Sequence, residues 1–373
     1  MIKVGIIGCG KIADAHAEQL IRVAGCEIVG VCDREELMAK QLYERFPVKH
    51  YFSDVNALLE IAKPDVVHIT TPPQSHLALG TKCLESGCHV YIEKPFTVTA
   101  SEAEELIAIA TEYNRKLTVG HDDQFTQAAR KMRFLIRAGY LGGPPVHMES
   151  YYGYDLGDVQ YASAVLGDRN HWVRQLPGKL FQNNISHGIC RIAEFMATDS
   201  PQVIAEGFVS QLMKRMSEED IVDELRVILS DGKATTAYFT FSSQMRPVLK
   251  RFRVYGQHNG LEMDHDQQTI IRVAGAKYKS YLEKFVPPCN YAKQYWSNAI
   301  SNVHSFLKSD FHMKSGMKFL IESFYQSILY ETPLPISYRE ILLTARIIDS
   351  IVWQVNTRLA DQKQAVSKVI LQS

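Results

Sequence analysis

The first thirteen residues constrain this fold more than any other stretch. Ile2, Val4, Ile6 and Ile7 make an apolar, β-type run that drops straight into Gly8-Cys9-Gly10-Lys11-Ile12-Ala13. A helical pattern with Ile12, Ala15, Gln19 and Leu20 at helical spacing follows. A strand that ends in Gly-x-Gly-x-x-Ala at the start of a helix is the turn on which dinucleotide-binding sheets hold a pyrophosphate. Gly8 permits the tight turn, Gly10 lets backbone N–H groups approach the phosphates, and Ala13 allows close helix–strand packing. The helix start at Lys11 and Ile12 adds unpaired N–H donors and a partial positive charge. A second run, Glu27 to Asp33, places Asp33 roughly 20 residues past the glycines, where a carboxylate accepts from ribose hydroxyls and repels a 2′-phosphate. That favours NAD(H). Arg34 beside it could hold the same phosphate, so NADP(H) stays open.

Strand-like runs at 2–7, 27–32, 66–70, 89–92 and 117–119 alternate with helical patterns at 11–23, 35–45, 54–62, 75–86 and 101–113. Alternation of this kind predicts an α/β domain, a parallel sheet with helices on both faces. Ligands bind beyond the carboxyl ends of such strands. Three chemically rich segments fall there: Thr70-Thr71-Pro72-Pro73-Gln74-Ser75-His76, Glu93-Lys94-Pro95, and Gly120-His121-Asp122-Asp123-Gln124-Phe125. The pattern then changes. A helical segment at about 124–138 ends at Gly139, and Gly142-Gly143-Pro144-Pro145 leads into a strand at 145–154. Runs at 203–213, 222–230, 234–242, 249–256 and 269–273 follow with few helices between them, which predicts an antiparallel sheet. A closing helix is expected over 339–357, and a frayed Gln/Lys-rich tail after it. The expected division is 1–121 for the dinucleotide-binding domain, 122–357 for a second α/β domain and 358–373 for the tail.

Composition removes whole classes of function. With 46% hydrophobic residues and 22% charged, the chain of 373 residues can bury a full core. Lys+Arg and Asp+Glu both number 41, so no net field recruits nucleic acid or an anionic membrane. No apolar run is long enough to span a bilayer, and no charged region with a cleavage site precedes the first strand. Seven scattered cysteines read as reduced thiols of a cytoplasmic protein. Cys83 and Cys88 lack zinc-finger spacing, and no His-Glu-x-x-His motif occurs, so no metal is assigned.

Taken together, Gly8-x-Gly10-x-Ile12-Ala13, Thr71-Pro72-x-x-x-His76, Glu93-Lys94-Pro95 and Phe125 ahead of a helix running to Gly139 and Gly142 resemble the glucose-fructose oxidoreductase / inositol dehydrogenase / rhizopine catabolism (Gfo/Idh/MocA) family. The resemblance implies an N-terminal Rossmann domain joined to an α/β domain with a large open, mainly antiparallel sheet. One face of that sheet lines the active site, and the other commonly joins subunits, so a homodimer or homotetramer is expected. It assigns Lys94 the acid–base role in hydride transfer, with Glu93 orienting it. It places Thr71, Pro72 and His76 at the cofactor and Asp122 near the substrate. The family's catalytic His matches His187, but Asn183 stands four residues earlier where an Asp is usual, and Cys190 replaces an acid three residues later. Asn183 can orient a hydroxyl but cannot accept a proton. Tyr151, Tyr152 and Tyr154, with His171, Trp172 and Arg174, could form a polar–aromatic platform for a sugar ring.

The expected function is an NAD(P)-dependent oxidoreductase acting on a sugar, polyol or nucleotide-linked sugar. Two alternatives stand beside it: NAD-dependent redox-assisted glycoside cleavage or elimination, and a non-catalytic dinucleotide- or sugar-sensing protein.

Overall fold

The strands near the N-terminus are almost unbroken apolar runs, and such runs are stable only with both faces covered. In the computed structural model, which describes residues 1–157, 162, 166–275, 277–279, 281–308, 311 and 314–372 (backbone only at 362, 363 and 365–372), they form one parallel sheet. Its strands are β1 (Ile2–Ile7), β2 (Cys26–Cys32), β3 (Tyr51–Phe52), β4 (Val66–Ile69), β5 (His89–Ile92) and β6 (Leu117–Val119). Their spatial order is β3-β2-β1-β4-β5-β6, and every neighbouring pair is parallel. The connecting helices are α1 (Lys11–Leu20), α2 (Glu36–Arg45), α3 (Val55–Ala57), α4 (His76–Glu85) and α5 (Ala100–Glu112). Sequence periodicity did not register β3, because two residues are too short to show a period.

Residues 1–127 and 305–345 form one compact unit; residues 128–304 and 346–373 form the other. The closing helix, 339–357, is expected from the sequence to pack back on the first domain; here the segment that joins the first unit is 305–345, and the chain from 346 on belongs to the second. The reason is apolar surface. A helix at Ser315–Tyr330 buries Leu320, Ile321 and Phe324 in the same core as Val4, Val67 and Val90. Contacts this distant in sequence leave no local periodic trace.

The second unit opens with α6 (Gln127–Arg137) and holds a seven-stranded sheet. Its strands are β7 (His147–Gly153), β8 (Gln202–Phe208), β9 (Glu224–Ser230), β10 (Thr236–Ser242), β11 (Lys250–Tyr255), β12 (Asn259–Asp264) and β13 (Thr269–Ala274), in the order β13-β12-β11-β7-β10-β9-β8. The sheet is antiparallel as expected except at one pair, β7 and β10. Period-2 alternation buries one face. Ala205, Val227, Phe239, Ser150 and Phe252 lie in register across five strands and are all buried. Over this face lies α7 (Lys179–Phe195), which buries Phe181, Ile185, Ile189 and Ile192.

Four further differences from the sequence reading have local causes. The run at 203–213 ends at Phe208, because the Ser210 hydroxyl caps a short helix, α8 (Gln211–Arg215), by accepting from the Met213 N–H. β12 was missed: its polar Asn259, Glu262 and Asp264 hide the alternation. A long helix, α9 (Leu282–Leu307), forms despite Pro287 and Pro288 near its start; α10 (Ser315–Tyr330) follows it. The closing helix, α11 (Tyr338–Gln372), does not stop at 357. No glycine or proline interrupts it, and the Gln, Lys and Ala that read as a tail are good helix formers. Among the described residues no helix is long and apolar enough to cross a membrane.

All seven cysteines are free thiols. Burial pushes Cys26 and Cys88 up to about 11 and Cys32 up to about 12, and it raises Cys9 and Cys83 as well. A thiol held in its neutral form is a poor nucleophile. Iodoacetamide at neutral pH is therefore expected to label exposed Cys289 first. The six others should react only on unfolding, read by peptide mass mapping. Rapid labelling of Cys9 or Cys32 in the native state would contradict this packing.

Candidate active site

The turn after β1 has the shape its glycines require. Gly8 has φ of +93°, and a Cβ there would sit 2.8 Å from the Thr71 backbone nitrogen. At Gly10 an added Cβ would meet nothing within 4 Å, so open space faces the start of α1. No side chain caps that helix, which leaves its first N–H groups for a ligand. Ala13 is fully buried, as close helix–strand packing demands. Asp33 is pinned: Oδ2 accepts the Cys9 N–H at 2.7 Å and Oδ1 accepts the Glu35 N–H at 3.0 Å. Lys11 and Arg34 are exposed, and Ile12 is partly so. These residues fit a dinucleotide: a cradle open to phosphate and a carboxylate fixed against the glycine turn itself.

The turn after β4 meets this cradle through Thr70, whose hydroxyl donates to the Gly8 carbonyl. Thr71 and Pro72 are at least partly exposed. His76 is buried, with Nε2 2.8 Å from the Thr71 carbonyl and Nδ1 3.0 Å from the Phe96 carbonyl. Burial lowers its imidazole below the usual histidine range, and the two carbonyls facing its ring nitrogens oppose that shift. His76 thus braces two turns against each other.

Past the end of β5 the chain places Glu93 inside and Lys94 half-buried. Gly120, at the end of β6, leaves room for the carboxylate, since a Cβ there would lie 2.7 Å from Glu93 Oε1. Oε1 lies 2.8 Å from His16 Nε2, and Oε2 accepts the Lys94 N–H at 3.2 Å. Burial alone would raise the Glu93 carboxyl. The His16 hydrogen bond and the charges of His16, Lys94 and Lys314 outweigh it and hold the group below the usual range. Burial lowers the Lys94 ammonium, opposed by Glu93, Asp122 and Asp123 and assisted by Lys314. A lysine tuned this way can give and take a proton nearer neutrality than a surface lysine does.

Sequence reasoning missed Lys314. Its Nζ lies 3.5 Å from Asp122 Oδ2, and Asp122 raises its ammonium. Asp122, expected near substrate, is itself buried and faces this cation. Nothing in the local pattern flags a lysine nearly two hundred residues away; only the returning segment brings it back. His16 left a faint trace. It is a polar residue on the helix face that buries Ala13, Ala17 and Leu20.

In the second unit, Asn183 and His187 are one helical turn apart on α7 and half-buried, while Gln182, Asn184 and Ser186 are buried. The His187 ring stacks on Tyr152 at 5.1 Å and 7°. Tyr152 also lies near Phe241, with rings 6.5 Å apart, and below Lys250 Nζ at 5.7 Å. The Cys190 thiol points to the His187 carbonyl at 3.5 Å, where the family has an acid. The aromatic platform is only partly assembled. Tyr151 alternates to the opposite sheet face and donates to Glu149; Arg174 is engaged by Glu218 and the Leu166 carbonyl. His171 and Trp172 are half-buried with rings 5.5 Å apart, and Trp172 packs with Tyr154 on a small apolar cluster.

Gly188 lets α7 approach the sheet: a Cβ there would collide with the Phe239 ring and lie 3.1 Å from Ser150 Oγ, which donates to the Gly188 carbonyl. Gly188→Ala is expected to lower stability by roughly 1–3 kcal/mol through overpacking, and to disturb the adjacent His187. Denaturant unfolding checks this, and an unchanged midpoint would mean that the helix can shift freely.

Comparison with known proteins agrees with this geometry. Residues 2–121 match the model of the oxidoreductase family with an NAD-binding Rossmann fold. A D-glucoside 3-dehydrogenase of Escherichia coli strain K12 is 32% identical over 142 residues; the match covers 38% of this chain and only 40% of that protein. A myo-inositol 2-dehydrogenase of Thermotoga maritima is 24% identical over 321 residues, covering 84% of this chain and 89% of that one. The solved UDP-N-acetylglucosamine 3-dehydrogenase of Acidithiobacillus ferrooxidans superposes with a TM-score of 0.70 at 20% identity, covering 95% of this chain and 98% of that one, and so shares the fold. Over residues 2–121 the chain matches the NAD-binding Rossmann domain of the Gfo/Idh/MocA oxidoreductase family, and over nearly its whole length it shares the fold of the solved dehydrogenase.

Proposed function

We propose that the protein is an NAD(P)-dependent oxidoreductase that moves hydride between nicotinamide and a hydroxyl-bearing carbon of a sugar, polyol or nucleotide-linked sugar. The observation that carries this reading is Lys94: a half-buried ammonium held below its ordinary range at the end of β5, in the same unit as the open glycine cradle. Relatives named as dehydrogenases of a glucoside, a UDP-sugar and an inositol support it over redox-assisted cleavage and over non-catalytic sensing.

The cofactor, when bound, supplies the hydride acceptor or donor. Lys94 donates a hydrogen bond to the substrate oxygen, stabilises negative charge developing there, and exchanges its proton. His187 takes the hydroxyl proton, its ring plane set by Tyr152. Asn183 orients the hydroxyl through its amide. Tyr152, His171 and Trp172 give the sugar ring aromatic surface. Asp122 acts through Lys314, as a positioning residue. The backbone at Gly8, Gly10, Lys11 and Ile12 holds the pyrophosphate, and His76 keeps the Thr71-Pro72 turn in shape. Pinned Asp33 favours NAD(H), and exposed Arg34 beside it would suit NADP(H). Seven free thiols support a cytoplasmic setting.

Purified protein with NAD⁺, and separately NADP⁺, against polyols, free sugars and nucleotide sugars should reduce NAD⁺ on at least one class. Lys94→Met and His187→Ala should each lose roughly 10²–10⁴ in rate while still binding cofactor. Full turnover by Lys94→Met with cofactor bound would refute its role.

The second sheet leaves one face uncovered in the single chain, with Ile204, Phe208, Ile228 and Tyr238 between 43% and 57% exposed. We assign that face to a homodimer or homotetramer contact. Light scattering should return a multiple of 42.3 kDa, and the mass of one chain would sink the assignment.

A further inference from the structure

Behind the Lys94 turn lies a row of buried polar side chains that the proposed reaction does not use. His16 on α1, His68 on β4 and Tyr325 on α10 come from separate parts of the chain, and each is at most 3% exposed. Tyr325 Oη lies 2.9 Å from His68 Nε2, His68 Nδ1 lies 2.8 Å from His16 Nδ1, and His16 Nε2 lies 2.8 Å from Glu93 Oε1. A carboxylate only accepts, so His16 donates from Nε2 to Glu93. Between the facing Nδ1 atoms of His16 and His68 one ring donates and the other accepts, and His68 Nε2 takes the complementary role toward the Tyr325 hydroxyl. Tyr91 fixes the ring planes: His68 stacks on it at 4.6 Å and 5°, and His16 meets it edge-on at 5.2 Å.

We propose that His16, His68 and Tyr325 are positioning residues for Lys94, a hydrogen-bonded chain that holds the Glu93 carboxylate charged and in place, and so fixes the countercharge that Lys94 faces. The proposal gives a mechanism to the reading of Lys94 as the acid–base group and takes its functional meaning from that reading. Burial keeps His68 neutral and Tyr325 protonated. The groups that face Glu93 are His16 from α1, Tyr91 from β5, His76 from α4, Lys94 on its own turn and Lys314 ahead of α10. Asp122 and Asp123 face Lys94 and Lys314 from the segment after β6. Removing the imidazole of His16 takes the donor from Glu93 Oε1. Glu93 then keeps only the Lys94 N–H at 3.2 Å and the charges of Lys94 and Lys314 against its burial, so its carboxyl shifts toward the neutral form and Lys94 loses part of the charge that opposes its desolvation.

The test reads the Lys94 proton directly and needs no substrate. Competitive acetylation with acetic anhydride across pH, on the full chain and read by mass spectrometry, gives the midpoint at which Lys94 becomes nucleophilic. His16→Met is expected to move that midpoint down by about one pH unit, roughly tenfold in proton affinity. His16→Gln, which keeps an N–H for Glu93, should restore it. Tyr325→Phe, which removes only the terminal hydroxyl, should move it the same way by less. An unmoved midpoint in a cooperatively folded His16→Met protein overturns the proposal. Should that variant not fold, an unmoved midpoint in Tyr325→Phe overturns it instead. The outcome is separate from that of Lys94→Met turnover, which judges the catalytic role in a protein that has no Lys94 amine to titrate.

Discussion

Glu93 is a carboxylate with almost no access to water, and the need to keep it satisfied organises the first unit around the candidate catalytic lysine. An uncompensated buried charge costs several kcal/mol, so its neighbours must be donors or cations. His16 reaches it from α1, the Lys94 N–H from its own turn, and the charge of Lys314 from the returning segment. Gly120 leaves it room. The glycine cradle and the Lys94 turn are thereby tied together, since α1 both begins at Gly10 and carries His16.

The same tie explains why residues 305–345 belong to the first unit. A parallel sheet needs cover on both faces, and α10 supplies it with Leu320, Ile321 and Phe324. That helix also delivers Tyr325 to His68 and starts beside Lys314. Gly316 permits the close start, because a Cβ there would meet the Asp122 carbonyl. Apolar burial brings the segment home, and two polar contacts use its arrival.

What the sequence made legible was local and periodic. The β1–turn–α1 unit, the parallel strands and the alternating strands of the second sheet were readable because each repeats within a few residues. So were Gly8, Gly10, Asp33, Lys94 and the Asn183–His187 pair, which sit in short motifs. Illegible were contacts made by chain return. Lys314 and Tyr325 carry no motif, and His68 looks like an interruption of an apolar strand until its partners at both ring nitrogens are seen. Tyr151 leaves the aromatic platform for a simpler reason. Adjacent tyrosines on a strand point to opposite faces, so Tyr151 and Tyr152 never share a surface.

The replacement of the family acids at positions 183 and 190 has an electrostatic consequence. On α7 the positions four before and three after His187 offer an amide and a thiol where the resemblance implies two carboxylates. The titrating charge is concentrated instead in the first unit, in Glu93, Lys94, Asp122, Asp123 and Lys314, where burial and mutual fields shift both lysines and Glu93. In the proposed reaction it is Lys94 that holds charge at the substrate oxygen. Asn183 then costs less than its chemistry suggests: with the lysine bearing the charge, orienting the hydroxyl is the task left to that position, and an amide can do it.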